Sequence, residues 1–293
     1  MLRSIADDIR ASFDYGNMVV KLIIINVGVY VITAILGAFF PSFYTTSILP
    51  YLALPGDPMV LLYRPWTLIT HMFLHEGLWH VLWNMLTFYW FGYIVGDLIG
   101  DRKILPIYII GGLFGALAFL ISFQLLAGIG GMALGASAAI MAIVFAAVAT
   151  APDYSMNLIL FGPVRIKYIG LVILFLDIIG TRSMVNSGGH IAHLGGALFG
   201  FLFVYLLRQG TDVADAFNRF IEFFKFKTTK KPKKRTTLKV AHKASDSQRD
   251  TIQKKNSYNV PTRVDEILDK IKQTGYDSLT DEEKDVLYQA SKN

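Results

Sequence analysis

A serine hydroxyl becomes a nucleophile only when a base takes its proton, and it needs donors ready for the oxyanion it creates. Three stretches of this sequence hold residue types for that chemistry. Ser137 lies in Leu134-Gly135-Ala136-Ser137-Ala138, where a glycine-bearing loop runs into an apolar segment. His190 and His193 stand at the head of another apolar segment, and either is a candidate base. His80 and Asn84 are four residues apart, so on a helix they share a face, and both side chains donate hydrogen bonds. The Ser137 backbone N–H is a further candidate donor, because first-turn amides lack an intrahelical acceptor. Together these groups are suited to acyl transfer. Each also has a plainer role: serine as a packing residue, histidine as a satisfied structural group, His80 and Asn84 as an interhelical hydrogen-bonding pair. What favours a site is their joint occurrence at one depth.

That depth follows from the elements that carry them. The chain has 293 residues, 53% hydrophobic and only 17% charged, against about 25% charged in a soluble domain. The charges are concentrated after residue 208. The expected organisation is a cytoplasmic N-terminal segment over 1–17, a membrane domain over 18–208, an amphipathic and polybasic linker over 209–260 and a small helical module over 261–293. Six apolar segments, near 18–40, 78–100, 104–126, 134–151, 157–179 and 191–208, approach the roughly 20 residues needed to cross a bilayer. The fourth and sixth are short, as helices beginning beside a cavity would be. This is an all-α fold class. Gly92, Gly96 and Gly100, Gly111 and Gly115, and Gly196 and Gly200 repeat at four-residue spacing, which suits close helix packing.

Orientation follows from Lys and Arg. Arg3, Arg10, Lys21, Arg102, Lys103, Arg165, Lys167 and Arg208 fall on one side with the basic tail, and Arg64 and Arg182 on the other. Both termini are then cytoplasmic. His80, Asn84, Ser137, His190 and His193 all fall in the first turns of segments that start outside, in the outer half of the bilayer. The N-terminus is too polar for a signal peptide. The loop over 41–77 is partly apolar and is expected to rest in the outer interface.

With no cysteine, neither disulfides nor thiolate metal sites are available. Five of the six histidines lie in the membrane domain: His71, His75, His80, His190 and His193. His75-Glu76-Gly77-Leu78-Trp79-His80 is one residue longer than a zinc-binding HExxH. On a helix, five residues turn through about 500°, which points the two rings about 140° apart. No metal and no cofactor are expected.

In combination these residues resemble the rhomboid family of intramembrane serine proteases. Gly135-Ala136-Ser137-Ala138 matches its GxS motif, and His80-Val81-Leu82-Trp83-Asn84 its HxxxN motif. Ala192-His193-Leu194-Gly195-Gly196, with Gly200 beyond, matches AHxxG. Arg64-Pro65-Trp66-Thr67 resembles the end of the family's first external loop. The resemblance implies a six-helix rhomboid-like bundle, with a Ser–His dyad in a water-filled cavity open to the outside. Ser137 would be the nucleophile, His193 the base, and His80 and Asn84 the oxyanion-hole residues. His193 is preferred to His190 because it alone has glycine three and seven residues on. His190 is then a flanking residue. Ala138 stands where the family often has glycine. Met141 stands where some members have an aromatic that stacks on the catalytic histidine. Asp177, late in the fifth segment, is a candidate third triad member, but a structural hydrogen bond near the outer surface is the preferred reading, since the family works as a dyad.

The tail carries nine Lys or Arg and no acid between Lys225 and Lys243. Coming after Phe217, Phe220, Ile221 and Phe224, it reads as a segment held at an anionic leaflet. Nucleic-acid binding does not fit so short a patch beside a membrane. Residues 244–260 read as disordered. Val264, Ile267, Leu268 and Ile271 repeat at helical spacing, Gly275 ends that helix, and Thr280 to Glu283 reads as a capping box opening another.

The function implied is an endopeptidase that cuts membrane-anchored proteins near their outer boundary, in a bacterial inner membrane. An inactive relative that binds and escorts transmembrane helices is the alternative, and the four motif residues argue against it. A small transporter would need polar groups through the full depth of the membrane, and the second, fourth and sixth segments are apolar below their first turns.

Overall fold

The computed structural model describes residues 2–125, 131–158, 161–182, 186–224 and 260–290. The basic run over 225–243 and the polar stretch to residue 259 lie outside the described residues. The chain forms two units, Met1–Thr228 and Thr229–Asn293.

In the first unit the helices of ten or more residues are α1 (Leu2–Tyr15), α2 (Met18–Phe39), α3 (Leu78–Ile99) and α4 (Ile104–Leu125), then α5 (Ser137–Thr150), α6 (Ile166–Gly180), α7 (Ser187–Arg208) and α8 (Val213–Phe224). Their ends have local causes. Asn17 caps α2, its side chain accepting from the Val20 amide at 3.0 Å. Gly100, at φ +105°, stops α3 before a 3₁₀ turn over Asp101–Lys103.

Helix α5 is the hub, with every residue from Ala138 to Val148 buried. Small residues let α4 and α7 approach its backbone. A Cβ added at Gly196 would lie 2.0 Å from the Ala138 carbonyl oxygen, and one at Gly200 would lie 2.3 Å from that of Ala142. On the α4 side, a Cβ at Gly111 would meet the Ala142 Cβ at 2.2 Å, and one at Gly115 the Ala138 Cβ at 2.5 Å. Such contacts matter in a bilayer, where burial of apolar surface between helices gives no hydrophobic gain over lipid. Gly92 packs against Val19, but Gly96 and Gly100 face open space. The four-residue glycine spacing therefore marks close packing on α4 and α7, and on α3 only at Gly92. Large apolar side chains on the outer faces, among them Ile32, Leu171, Phe175 and Leu198, are exposed. Such a belt suits lipid contact.

Among the described residues, three helices are long and apolar enough to cross a membrane: Met18–Phe39, Asp101–Leu125 and Ser187–Arg208. Helix α3 has 22 residues but carries His80, Asn84 and Asp97, and α5 and α6 have 14 and 15 residues. Two expected segments change. The sixth is not short: α7 starts at Ser187 and has 22 residues. The fifth does not begin at 157: Ser155–Leu158 and Gly162–Arg165 pair as an antiparallel hairpin, and the helix starts only at Ile166. Asp153 binds Lys167 at 2.6 Å and Arg165 at 3.1 Å beside this hairpin, and the two cations hold its carboxyl below the usual range.

Residues 41–73 are a series of short helical turns. Their carbonyls are tied down by side chains: Arg64 Nη1 donates to Pro50 O at 2.9 Å, Trp66 Nε1 to Tyr51 O at 2.7 Å, and Thr70 Oγ1 to Leu52 O at 2.6 Å. The Arg64 guanidinium also lies 4.2 Å from the Tyr51 ring centroid. Leu54–Pro55 pairs with Met132–Ala133, fastening this segment to the residues just before Ser137.

The second unit contains α9 (Val260–Thr274) and α10 (Asp281–Ala290), with Gly275 at φ +81° after the first. The Thr280 amide donates to Glu283 Oε2 at 2.8 Å, and the Glu283 amide to Thr280 Oγ1 at 3.4 Å. Lys270 Nζ donates to both Glu283 oxygens, at 2.9 and 2.8 Å.

Candidate active site

Ser137 is the first residue of α5, and the turn before it depends on Gly135 at φ +130°. The Gly135 amide donates to His71 O at 2.9 Å, and His71 in turn is fixed by an Nδ1 contact to Thr67 O at 2.7 Å. His193 comes from α7, which packs against α5 through Gly196 and Gly200. The same close approach that fits the two backbones together sets the two side chains face to face: His193 Nε2 lies 2.7 Å from Ser137 Oγ.

The other ring nitrogen fixes the direction of that bond. His193 Nδ1 is 2.8 Å from Asp177 Oδ1 on α6. An ionised carboxylate only accepts, so Nδ1 carries the proton and Nε2 has a free lone pair. Ser137 Oγ–H therefore donates to Nε2, the geometry of a hydroxyl about to lose its proton. His190 Nδ1 is also 2.8 Å from Asp177 Oδ1. Asp177 is 5% exposed, and its Oδ2 has no hydrogen-bond partner among the described residues.

His80, Asn84, Ser137 and His193 all line one cavity of about 630 Å³, which also meets Glu76, Trp79, Met141 and Asp177. The four residues selected from the sequence thus come together. A Cβ placed on Gly135 would lie 3.2 Å from His80 Nε2 and 3.5 Å from Ser137 Oγ. The absence of a side chain at 135 leaves open the space between the imidazole and the hydroxyl. Asn84 Nδ2 donates to His80 O at 2.9 Å, which uses one of its two amide hydrogens. Met141 is buried on the cavity wall.

One other histidine differs from expectation. His75 is not on α3, which begins at Leu78, so helical-wheel geometry does not govern it. Its ring packs edge-on against His80, centroids 5.1 Å apart, instead of pointing away. His190 flanks His193 and is itself tied to Asp177. Asp177 is the residue that sequence spacing under-weighted. Its signal was an acid in an otherwise apolar helix, which is costly in a membrane unless it has partners. The ligand-type atoms of Asp177, His190 and His193 lie within 4.8 Å of one another, close enough to hold a metal ion. A carboxylate shared by two imidazole N–H groups gives the same spacing, and each imidazole here is already hydrogen-bonded.

The Rhomboid domain matches residues 63–210, and a family of unknown function, DUF6576, matches residues 254–293. Rhomboid protease GlpG of Yersinia enterocolitica is 26% identical over 195 residues, covering 65% of this chain and 62% of that protein. RHOMBOID-like protein 12, mitochondrial, of Arabidopsis thaliana is 31% identical over 158 residues, 49% of this chain and 47% of that protein. Presenilin-associated rhomboid-like protein A, mitochondrial, of Danio rerio is 27% identical over 139 residues, 47% of this chain and 36% of that protein. The chain thus spans between about a third and three fifths of the length of these relatives. The Rhomboid match takes in half the chain and includes helices apolar enough to cross a bilayer, which makes this protein an integral membrane member of the rhomboid family.

Proposed function

We propose that this protein is an intramembrane serine endopeptidase acting on membrane-anchored proteins. The observation that carries the reading is the 2.7 Å approach of His193 Nε2 to Ser137 Oγ, with His193 Nδ1 held by Asp177 Oδ1 at 2.8 Å. In the proposed reaction His193 takes the Ser137 proton as Oγ attacks the scissile carbonyl carbon. The carbonyl oxygen becomes an oxyanion between the His80 ring, the Asn84 amide and the Ser137 backbone N–H. The C–N bond then breaks, and His193 returns the proton to the leaving amine. Water attacks the acyl-enzyme through the same imidazole, releasing the new carboxylate and restoring Ser137. Peptide carbonyls in a helix are already hydrogen-bonded, so the substrate must unwind locally to present one. The family resemblance implies substrates whose helices unwind readily, with small residues at the cut.

A protein that only binds and escorts helices has no use for a hydroxyl paired to an imidazole in the reactive tautomer, so the protease reading is preferred. The fold is read as a six-crossing bundle of α2 to α7, with both termini cytoplasmic and the cavity opening to the outer side of a bacterial inner membrane. The basic segment over 225–243 is read as lying on an anionic leaflet.

Purified protein mixed with a transmembrane substrate tests the reading. Wild type should cut, and His193→Ala should not. His80→Ala should lower kcat by about 10²- to 10³-fold, the usual cost of an oxyanion donor. Unchanged turnover in His80→Ala would remove His80 from that role, and cleavage by His193→Ala would remove the base.

A further inference from the structure

We propose that Asp177 is the positioning residue of this site: its carboxylate holds His193 in the tautomer and rotamer that point Nε2 at Ser137. The inference rests on the serine–histidine reading above and adds a third member to a site that the family resemblance presents as a pair.

A buried carboxylate in an apolar helix must be paired. Here the pairing is specific. Asp177 Oδ1 accepts from His193 Nδ1 and from His190 Nδ1, each at 2.8 Å. An imidazole in contact with a serine can turn about its χ angles and can carry its single proton on either nitrogen. A fixed acceptor at Nδ1 removes both freedoms. His190 fixes the acceptor in turn, because its N–H holds the same oxygen from one helical turn earlier on α7. Gly180 makes room for that arrangement: a Cβ there would come within 2.6 Å of the His190 ring. The line Ser137, His193, Asp177 therefore runs across three helices, α5, α7 and α6. During the reaction no bond is made or broken at Asp177. The Nδ1 proton stays on His193, and the carboxylate stabilises the imidazolium formed when Nε2 takes the serine proton.

The test compares full-length wild type with Asp177→Asn, His190→Ala and Ser137→Ala in a transmembrane-substrate assay, with thermal unfolding measured alongside. Asp177→Asn should lower kcat between about 10²- and 10⁴-fold with KM unchanged. His190→Ala, which removes one of the two N–H groups on Asp177 Oδ1 and keeps the Asp177–His193 bond, should lower kcat by less than Asp177→Asn does. EDTA should change nothing. Wild-type kcat in Asp177→Asn, with Ser137→Ala inactive, would overturn the inference and leave the protease reading standing. Activity in Ser137→Ala would instead overturn the reading beneath it. Activity lost on chelation would overturn the hydrogen-bonded role in favour of a metal. Should Asp177→Asn fail to fold, ¹⁵N-histidine NMR of the wild type decides. The Nδ1–H tautomer at His193 is expected, and the Nε2–H tautomer would overturn the proposal.

Discussion

Replacing Ser137 with alanine is expected to lower cleavage of a transmembrane substrate by about 10⁶-fold, to the level left by binding and oxyanion stabilisation alone. The substitution removes one oxygen at the head of α5 and leaves the helix able to form, since alanine is the best helix former. Unfolding temperature should therefore stay close to wild type. His193→Ala should cost nearly as much, and the double variant no more than either alone, because base and nucleophile work as one unit. That non-additivity separates a joint proton transfer from two independent binding contributions, which would multiply. Kinetics on the four proteins, normalised to folded protein, provide the check. A double variant much worse than each single one would mean the residues act separately.

The second large effect concerns stability. Gly196→Val is expected to destabilise the membrane unit by at least about 1–3 kcal/mol and to abolish activity with it. The added Cβ would sit 2.0 Å from the Ala138 carbonyl oxygen and 2.8 Å from its carbon. Both are backbone atoms of the hub helix, so no rotamer change relieves the clash, and α7 must move away from α5. Moving α7 carries His193 off Ser137, because the histidine lies one turn before the glycine. Gly28→Ala serves as the control, since a Cβ at Gly28 meets nothing within 4 Å. Thermal unfolding in detergent should separate the two clearly. Equal melting of Gly196→Val and wild type would show that α5 and α7 are not held in this close packing.

The same packing explains which parts of the molecule could be read in advance. Ser137, His80, Asn84 and His193 were legible because each is a polar group at the start of an apolar run, and counting along those runs sets them at one depth. Glycines at four-residue spacing pointed to close contact on α4 and α7. They did so less well on α3, where Gly100 ends the helix and Gly96 faces open space. The sequence predicts helix from 157 because Leu158, Ile159, Leu160 and Phe161 form a short apolar run, which hydrophobicity alone cannot assign, and the structure instead pairs Ser155–Leu158 with Gly162–Arg165. Gly162-Pro163 was the breaker in plain view, and Gly162 does adopt φ +69°. Helix α7 starts four residues before the apolar run that predicts it, because Ser187-Gly188-Gly189 has the composition of a loop. Asp177 needed the third dimension. Nothing in its spacing shows that α6 turns it toward the two histidines of α7.

A fluorophosphonate probes the activated state of Ser137 directly, without any choice of substrate. The predicted result is a single phosphonylated residue, mapped by peptide mass spectrometry to Ser137. Labelling should be lost in Ser137→Ala and slowed by about 10²- to 10⁴-fold in His193→Ala. A label on another residue, or labelling undiminished in Ser137→Ala, would contradict it.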